Sequence, residues 1–148
     1  MKSVKVFKLS QYAKLPTRNK STDAGLDLYA LETTFLPVGK TVVIKTGVAI
    51  NVPKNYVGKI EDRSSLAAKG LRTGAGVVDA GYTGEVGVVM HNVSNIDNAH
   101  GNTRGFLIEK GQKIAQLLLY KVDTPSVEEV KELWTSERGS GGFGSSGA

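Results

Sequence analysis

An all-β fold, an antiparallel sandwich, jelly roll or barrel, is what this sequence predicts, and three observations predict it. Apolar residues recur with period two over short runs, the spacing of half-buried strands. Gly, Pro and Asn punctuate those runs. Only two stretches, 64–69 and 126–133, carry helix signals, and neither is long enough to cross over a parallel sheet repeatedly.

The elements follow in order. Val4 and Val6 open the first alternation. The run 41–52 carries Val48, Ile50 and Val52 on one face, and after a turn at 53–55 the pattern continues through Tyr56, Gly58 and Ile60. Residues 64–69 read as a short helix closed by Gly70. Val86, Val88 and Met90 form another strand, and the polar stretch 94–103 reads as a hairpin loop. Ile114, Gln116 and Leu118 then alternate with Ala115, Leu117 and Leu119. A second helix is expected over 126–133, where Ser126 caps and Glu129 completes a capping box. From Arg138 the composition changes to RGSGGFGSSGA, a Gly/Ser coil, so the chain divides into a β domain, 1–137, and a flexible C-terminal segment, 138–148.

Composition bounds the chemistry. A chain of 148 residues is the size of one domain and can bury a core without staples. The absence of Cys excludes a disulfide framework, a thiolate zinc site and a cysteine nucleophile, and two His leave little for a histidine-rich metal site. Any divalent cation must therefore be held by oxygen. No apolar run reaches membrane-spanning length, and the N-terminus lacks a signal-peptide cleavage pattern, so a soluble intracellular protein with no membrane association is expected. The net charge of +5 is spread without a block of like charge, which argues against stable nucleic-acid binding and leaves room for a small polyanion.

Two phosphate-loop imitations fail on context. Gly139, Gly141 and Gly144 have G-x-G-x-x-G spacing but lie between no strand and helix; Gly39-Lys40-Thr41 lacks the first glycine, since Thr34 stands there. His91 and His100 receive no role. Four other segments are harder to explain as core. Asp27 sits between Leu26 and Leu28, so a strand that buries both leucines turns the carboxylate the other way. Arg63-Ser64-Ser65 places a guanidinium and two hydroxyls at a helix start, a phosphate-binding arrangement. The run 74–84, GAGVVDAGYTG, surrounds Asp79 and Tyr82 with glycines, three residues apart across a turn and able to face one cleft. Gln116 lies within an apolar strand, where its amide needs partners. In the tail, Arg138 and Phe143 offer a guanidinium for phosphate and a ring for stacking, and the glycines permit close backbone approach.

In this order the segments resemble the five motifs of the homotrimeric deoxyuridine triphosphate nucleotidohydrolases, the dUTPases, from about Asp23 to the C-terminus. The turn motif GVVDAGYTGEVGVV and the tail RGSGGFGSSG carry most of the specificity. The resemblance implies a distorted jelly-roll β-sandwich and a homotrimer with active sites shared between subunits. It also implies hydrolysis of dUTP to dUMP and pyrophosphate. Asp79 would activate the water that attacks the α-phosphorus, and Tyr82 would pack under the deoxyribose. Uracil would be read by the backbone of the hairpin after Gly74, including Gly76 and Val77. Arg63, Ser64, Ser65 and Gln116 would hold phosphates, and Asp27 would accept hydrogen bonds from waters on a triphosphate-bound Mg²⁺. Phe143 would stack on uracil while Arg138, Gly144, Ser145 and Ser146 closed over the γ-phosphate as a lid.

The chain departs from that pattern in places. Asp62 stands where many members have Pro, which is expected to add negative charge near the phosphates; Ala80 and Gly81 stand where a second acid is frequent, and Lys113 where Arg is frequent. A related fold, dCTP deaminase, shares the Arg63-Ser64-Ser65 pattern but needs a glutamate near position 89, where this chain has Val89, and Glu85 comes too early. A regulatory protein that keeps the nucleotide pocket is a third reading.

Overall fold

The computed structural model describes residues 3–94, 99–100, 103–137 and 139–140. Twelve strands and one four-residue helix are formed among them, in the order β1 (Lys5–Lys8), β2 (Leu26–Tyr29), β3 (Thr34–Pro37), β4 (Thr41–Ile44), β5 (Val48–Asn51), β6 (Tyr56–Asp62), α1 (Ser64–Ala67), β7 (Leu71–Gly74), β8 (Val77–Val78), β9 (Val88–Asn92), β10 (Ala99–His100), β11 (Thr103–Ile108) and β12 (Lys113–Lys121). Every pairing between these strands is antiparallel. The sheets run β2-β12-β6-β8, β4-β9-β7, β10-β11-β3 and β1-β5, an all-antiparallel β fold as the alternation predicts and jelly-roll-like as the resemblance implies.

Alternation explains which faces are buried. In β9, Val88, Met90 and Asn92 are buried while Val89 and His91 are half-exposed. In β12, Ala115 and Leu117 point into the core, and the opposite face carries Gln116 and Leu118. Ile114 breaks this rule: it is also fully buried, because the pairing of β12 with β2 shifts register between Lys113 and Ala115. Leu28, Leu36, Ile44, Ile50, Leu71 and Ile108 complete the largest buried side chains with Met90, Ile114 and Leu117.

Two sequence expectations need correction. The run 41–52 is two strands, since Gly47 adopts φ 70 and the buried Thr46 hydroxyl donates to the Val86 carbonyl (2.6 Å), bending the chain between β4 and β5. The expected helix over 126–133 is absent, and the segment 122–136 forms neither helix nor strand. Its side chains bury no face: Val127, Val130, Leu133 and Trp134 are all exposed, and a segment of about two turns without tertiary packing is not held helical by a capping box. The turn at 53–55 and α1 with Gly70 at φ 80 stand as expected.

A buried polar junction closes the end of β9. Asn92 donates from Nδ2 to the Leu36 carbonyl (2.9 Å), and its Oδ1 accepts the Ser94 N–H (3.0 Å) and hydroxyl. Replacing it strands three partners in a dry environment. Asn92→Ala is expected to lower unfolding free energy by about 2–4 kcal/mol, read as a lower urea midpoint at unchanged m-value.

Candidate active site

The sequence-predicted residues that the structure describes fall into two groups, one on each of two pockets. The first is built on β12. Its pairing places Gln116 opposite Asp27 of β2 on one side and Glu61 of β6 on the other. Because β6 runs straight into α1, Arg63, Ser64 and Ser65 arrive beside them. Asp27, Arg63, Ser64, Ser65 and Gln116 line a polar cavity of about 580 Å³ with Asn19, Asp23, Gly25 and Lys113.

Electrostatics hold this cluster. The Asp27 carboxylate turns away from the buried Leu28, as the strand pattern predicts, and pairs through Oδ1 with Arg63 Nε (3.2 Å) and through Oδ2 with Lys113 Nζ (2.6 Å). Arg63 also donates to the Lys113 carbonyl (3.3 Å). The hydrogen bond to Asp27 holds the Lys113 pKa above its ordinary 10.5, against a smaller lowering by desolvation. The Gln116 amide finds its partner in the Asp62 carbonyl (2.9 Å). Gly25 makes this possible, because a Cβ there would collide with the Gln116 side-chain oxygen. Sequence reasoning did not single out Gly25 or Asn19; the glycine in Asp23-Ala-Gly-Leu-Asp27 was the available signal for close approach.

The second pocket is the glycine-rich hairpin. Leaving β7, the chain takes positive φ at Ala75 (54) and Gly76 (26), and the Gly76 carbonyl accepts the Ile60 N–H (2.8 Å). A Cβ on Gly76 would press on the Ile60 carbonyl at 2.8 Å, so glycine alone suits this turn. Val77 and Val78 pair with Lys59 and Gly58 of β6, which anchors Asp79 at the end of β8. Asp79 and Tyr82 line one cavity of about 320 Å³ with Gly74, Gly76, Val77 and Val89, so the turn does bring the acid and the ring to one cleft. The Asp79 carboxylate is exposed and makes no ion pair or hydrogen bond among the described residues. Tyr82 is half-exposed, and its hydroxyl donates to the Glu85 carbonyl (3.0 Å). Glu85 in turn accepts the Gly47 N–H through Oε1 (2.7 Å), tying the hairpin's return leg to the bend before β5.

The two pockets share no lining residue. Asp79 and Tyr82 line one of them, and Arg63, Ser64, Gln116 and Asp27 line the other. Asp62 also departs from its expected place: its carboxylate leaves the polar cavity and is held by Thr73 and Arg72 of β7, so it adds no charge to the cavity wall. Arg138, Phe143, Gly144, Ser145 and Ser146 lie outside the described residues.

Among the described residues no group of three or more Asp, Glu or His side chains gathers to chelate a metal. In the polar cavity Asp27 and Asp23 are the two carboxylates, and Asp27 is the one paired with Arg63 and Lys113. Each of its oxygens already receives one cation, and the remaining lone pairs suit hydrogen bonds from water rather than direct chelation.

A family model for dUTPase matches residues 11–147. The chain belongs to the dUTPase family. It is 44% identical to the deoxyuridine 5'-triphosphate nucleotidohydrolase of Kluyveromyces lactis, over 98% of this chain and 94% of that protein. Identity to the Clostridium tetani protein of the same name is 41%, over 98% and 97% of the two chains. Among solved structures, Staphylococcus bacteriophage 80alpha dUTPase with dUPNHPP aligns over 100% of both chains with a TM-score of 0.88 at 35% identity. A mutant dUTPase from phage phi11 of S. aureus, whose structure reveals the coordination of a structural Mg(II) ion, aligns over 90% of this chain and 99% of the other (TM-score 0.79, identity 32%).

The Lys113–Asp27 pair gives a pH expectation. A lysine pKa raised by folding contributes stability that is complete below the ordinary 10.5 and is lost as pH rises through the folded value. An NMR titration of Lys113 Nζ is expected to place its midpoint above that of an ordinary lysine, and Asp27→Asn to bring it back down.

Proposed function

We propose that this chain hydrolyses dUTP to dUMP and pyrophosphate, limiting uracil incorporation into DNA and supplying dUMP for thymidylate synthesis. The observation that carries the reading is the cleft that holds Asp79, Tyr82 and the glycine hairpin together. Uracil lies in the hairpin, where the backbone around Gly76 and Val77 reads its polar edge. Thymine is excluded by close packing of its methyl group, and cytosine by mismatched donors and acceptors. Tyr82 packs under the deoxyribose and leaves no room for a 2′-hydroxyl, its ring orientation set by the bond to the Glu85 carbonyl.

Asp79 takes a proton from the attacking water as the water oxygen forms a bond to the α-phosphorus. The bond from that phosphorus to the bridging oxygen breaks, and pyrophosphate leaves. Exposure and the lack of a competing partner leave Asp79 free for this role. Arg63, Ser64, Ser65 and Gln116 hold the phosphates, with Arg63 oriented by Asp27. When bound to the triphosphate, Mg²⁺ would neutralise charge on its oxygens, and Asp27 would accept hydrogen bonds from its waters. Arg138, Phe143, Gly144, Ser145 and Ser146 close over the γ-phosphate and uracil as a lid.

The assembly on this reading is a homotrimer whose sites are shared between subunits. Two features support it. The base pocket and the phosphate pocket are separate within one chain. The segment after β12 also carries Val127, Val130, Leu133 and Trp134 exposed, apolar surface that a second copy would cover. The protein works in a soluble intracellular nucleotide pool, without stable nucleic-acid or membrane binding; no described helix is long and apolar enough to cross a membrane. Deamination of dCTP finds no support, since Val89 occupies the cavity wall and the Glu85 carboxylate is engaged by Gly47.

The test is pyrophosphate release from dUTP, dCTP, dTTP and UTP, each with Mg²⁺ and with chelator. Release from dUTP alone, lost with chelator, is the expected result. Binding of dUTP without release from any nucleotide would replace catalysis with regulation. Asp79→Asn is expected to reduce kcat by about 10²–10⁴-fold with dUTP binding retained, and a near-normal kcat would remove the general-base assignment.

A further inference from the structure

Asp62 ends β6 with its main chain and its side chain committed to opposite neighbours. Its carbonyl accepts the Gln116 amide (2.9 Å), and the next residue, Arg63, pairs with Asp27 (3.2 Å). Its carboxylate points to β7, where Oδ1 accepts the Thr73 N–H (2.6 Å) and the Thr73 hydroxyl (2.8 Å), and Oδ2 pairs with Arg72 Nε (2.8 Å).

The topology shows what this contact does. β6 belongs to the four-stranded sheet, and β7 is the edge of the sheet β4-β9-β7. The Thr73 N–H, on an edge strand with β9 along one side only, would otherwise lack a ladder partner; the Asp62 carboxylate stands in for a strand carbonyl and staples the two sheets. One residue later comes Gly74, followed by the positive φ values of Ala75 and Gly76 that shape the hairpin cavity.

We infer that Asp62 is a positioning residue, which fixes the start of the base-binding hairpin to the strand end that carries the phosphate-binding Arg63. The inference rests on the roles proposed above for the hairpin and Arg63. Asp79 is anchored separately, by the pairing of Val77 and Val78 with β6. Loosening the Asp62 staple therefore acts on nucleotide binding and base selection more than on the chemical step.

Asp62→Ala and Asp62→Asn are compared by steady-state kinetics on dUTP and dCTP, by amide hydrogen exchange over residues 73–76, and by melting temperature. In Asp62→Ala, KM for dUTP is expected to rise about tenfold while kcat changes less than about threefold, with faster exchange at 73–76 and a smaller preference for dUTP over dCTP. Asn keeps an oxygen acceptor for Thr73, so Asp62→Asn is expected to recover most of KM, base preference and exchange protection. Should the alanine variant not fold, Thr73→Val removes one of the bonds, and a KM rise of about threefold with faster exchange is expected. A lower melting temperature with unchanged KM, base preference and exchange would overturn the inference, as would an equal loss of kcat in both Asp62 variants. A wild-type chain without dUTP turnover would sink the proposed function instead, and the exchange comparison would still decide the role of Asp62.

Discussion

The antiparallel ladder of β12 on β6 is the constraint from which the rest of the site follows. It runs from Ala115 opposite Asp62 to Lys121 opposite Tyr56, while the first half of β12 also pairs with β2. Period-two geometry then leaves little choice: with Ala115 and Leu117 buried, Gln116 must face outward, between Asp27 and Glu61. A one-residue slip would bury the amide and expose the leucine. Burial of the apolar face thus sets the register, and the register sets which polar groups meet.

The charges gathered by this ladder would repel one another without Asp27. Arg63 and Lys113 approach the same carboxylate from different elements, and their shared partner holds both in place at the wall of an open polar cavity. Because the three side chains remain partly exposed, the pairing contributes more to orientation than to stability. The hairpin solves a different problem. Its shape comes from backbone, with Ala75 and Gly76 at positive φ and the Gly76 carbonyl bonded to Ile60, so on the proposed function its base selectivity would not require a charged side chain.

Much of this was legible because local rules and tertiary packing agree. The alternation of Val86, Val88 and Met90 falls on buried residues, the alternation over 114–119 marks a strand without saying which face is core, and the glycines of 74–84 mark a turn that does bring Asp79 to Tyr82. What stayed illegible depends on neighbours distant in sequence. Thr46 bonds Val86, and that contact splits 41–52 into two strands. Ser126 and Glu129 supply a capping box, but no surface arrives for the helix to pack on. The direction of the Asp62 carboxylate was equally hidden, since its partners Arg72 and Thr73 lie across a helix and a turn.

Separation of the two pockets carries a physical consequence for the proposed reaction. A triphosphate held by Arg63 and Gln116 has its charge met by a cluster built on β12, whereas the base pocket with Asp79 and Tyr82 is built on β8 and the turn after it. Both sets are anchored to the same strand, β6, whose Lys59 and Gly58 pair with β8 and whose end supplies Asp62 and Arg63. In a shared-site assembly each β6 would thus support half of one site and half of another. On that proposal assembly would be a condition for chemistry without being a condition for the fold: each chain's own residues form its buried core, while Asp79 lines one pocket and Arg63 and Gln116 line another.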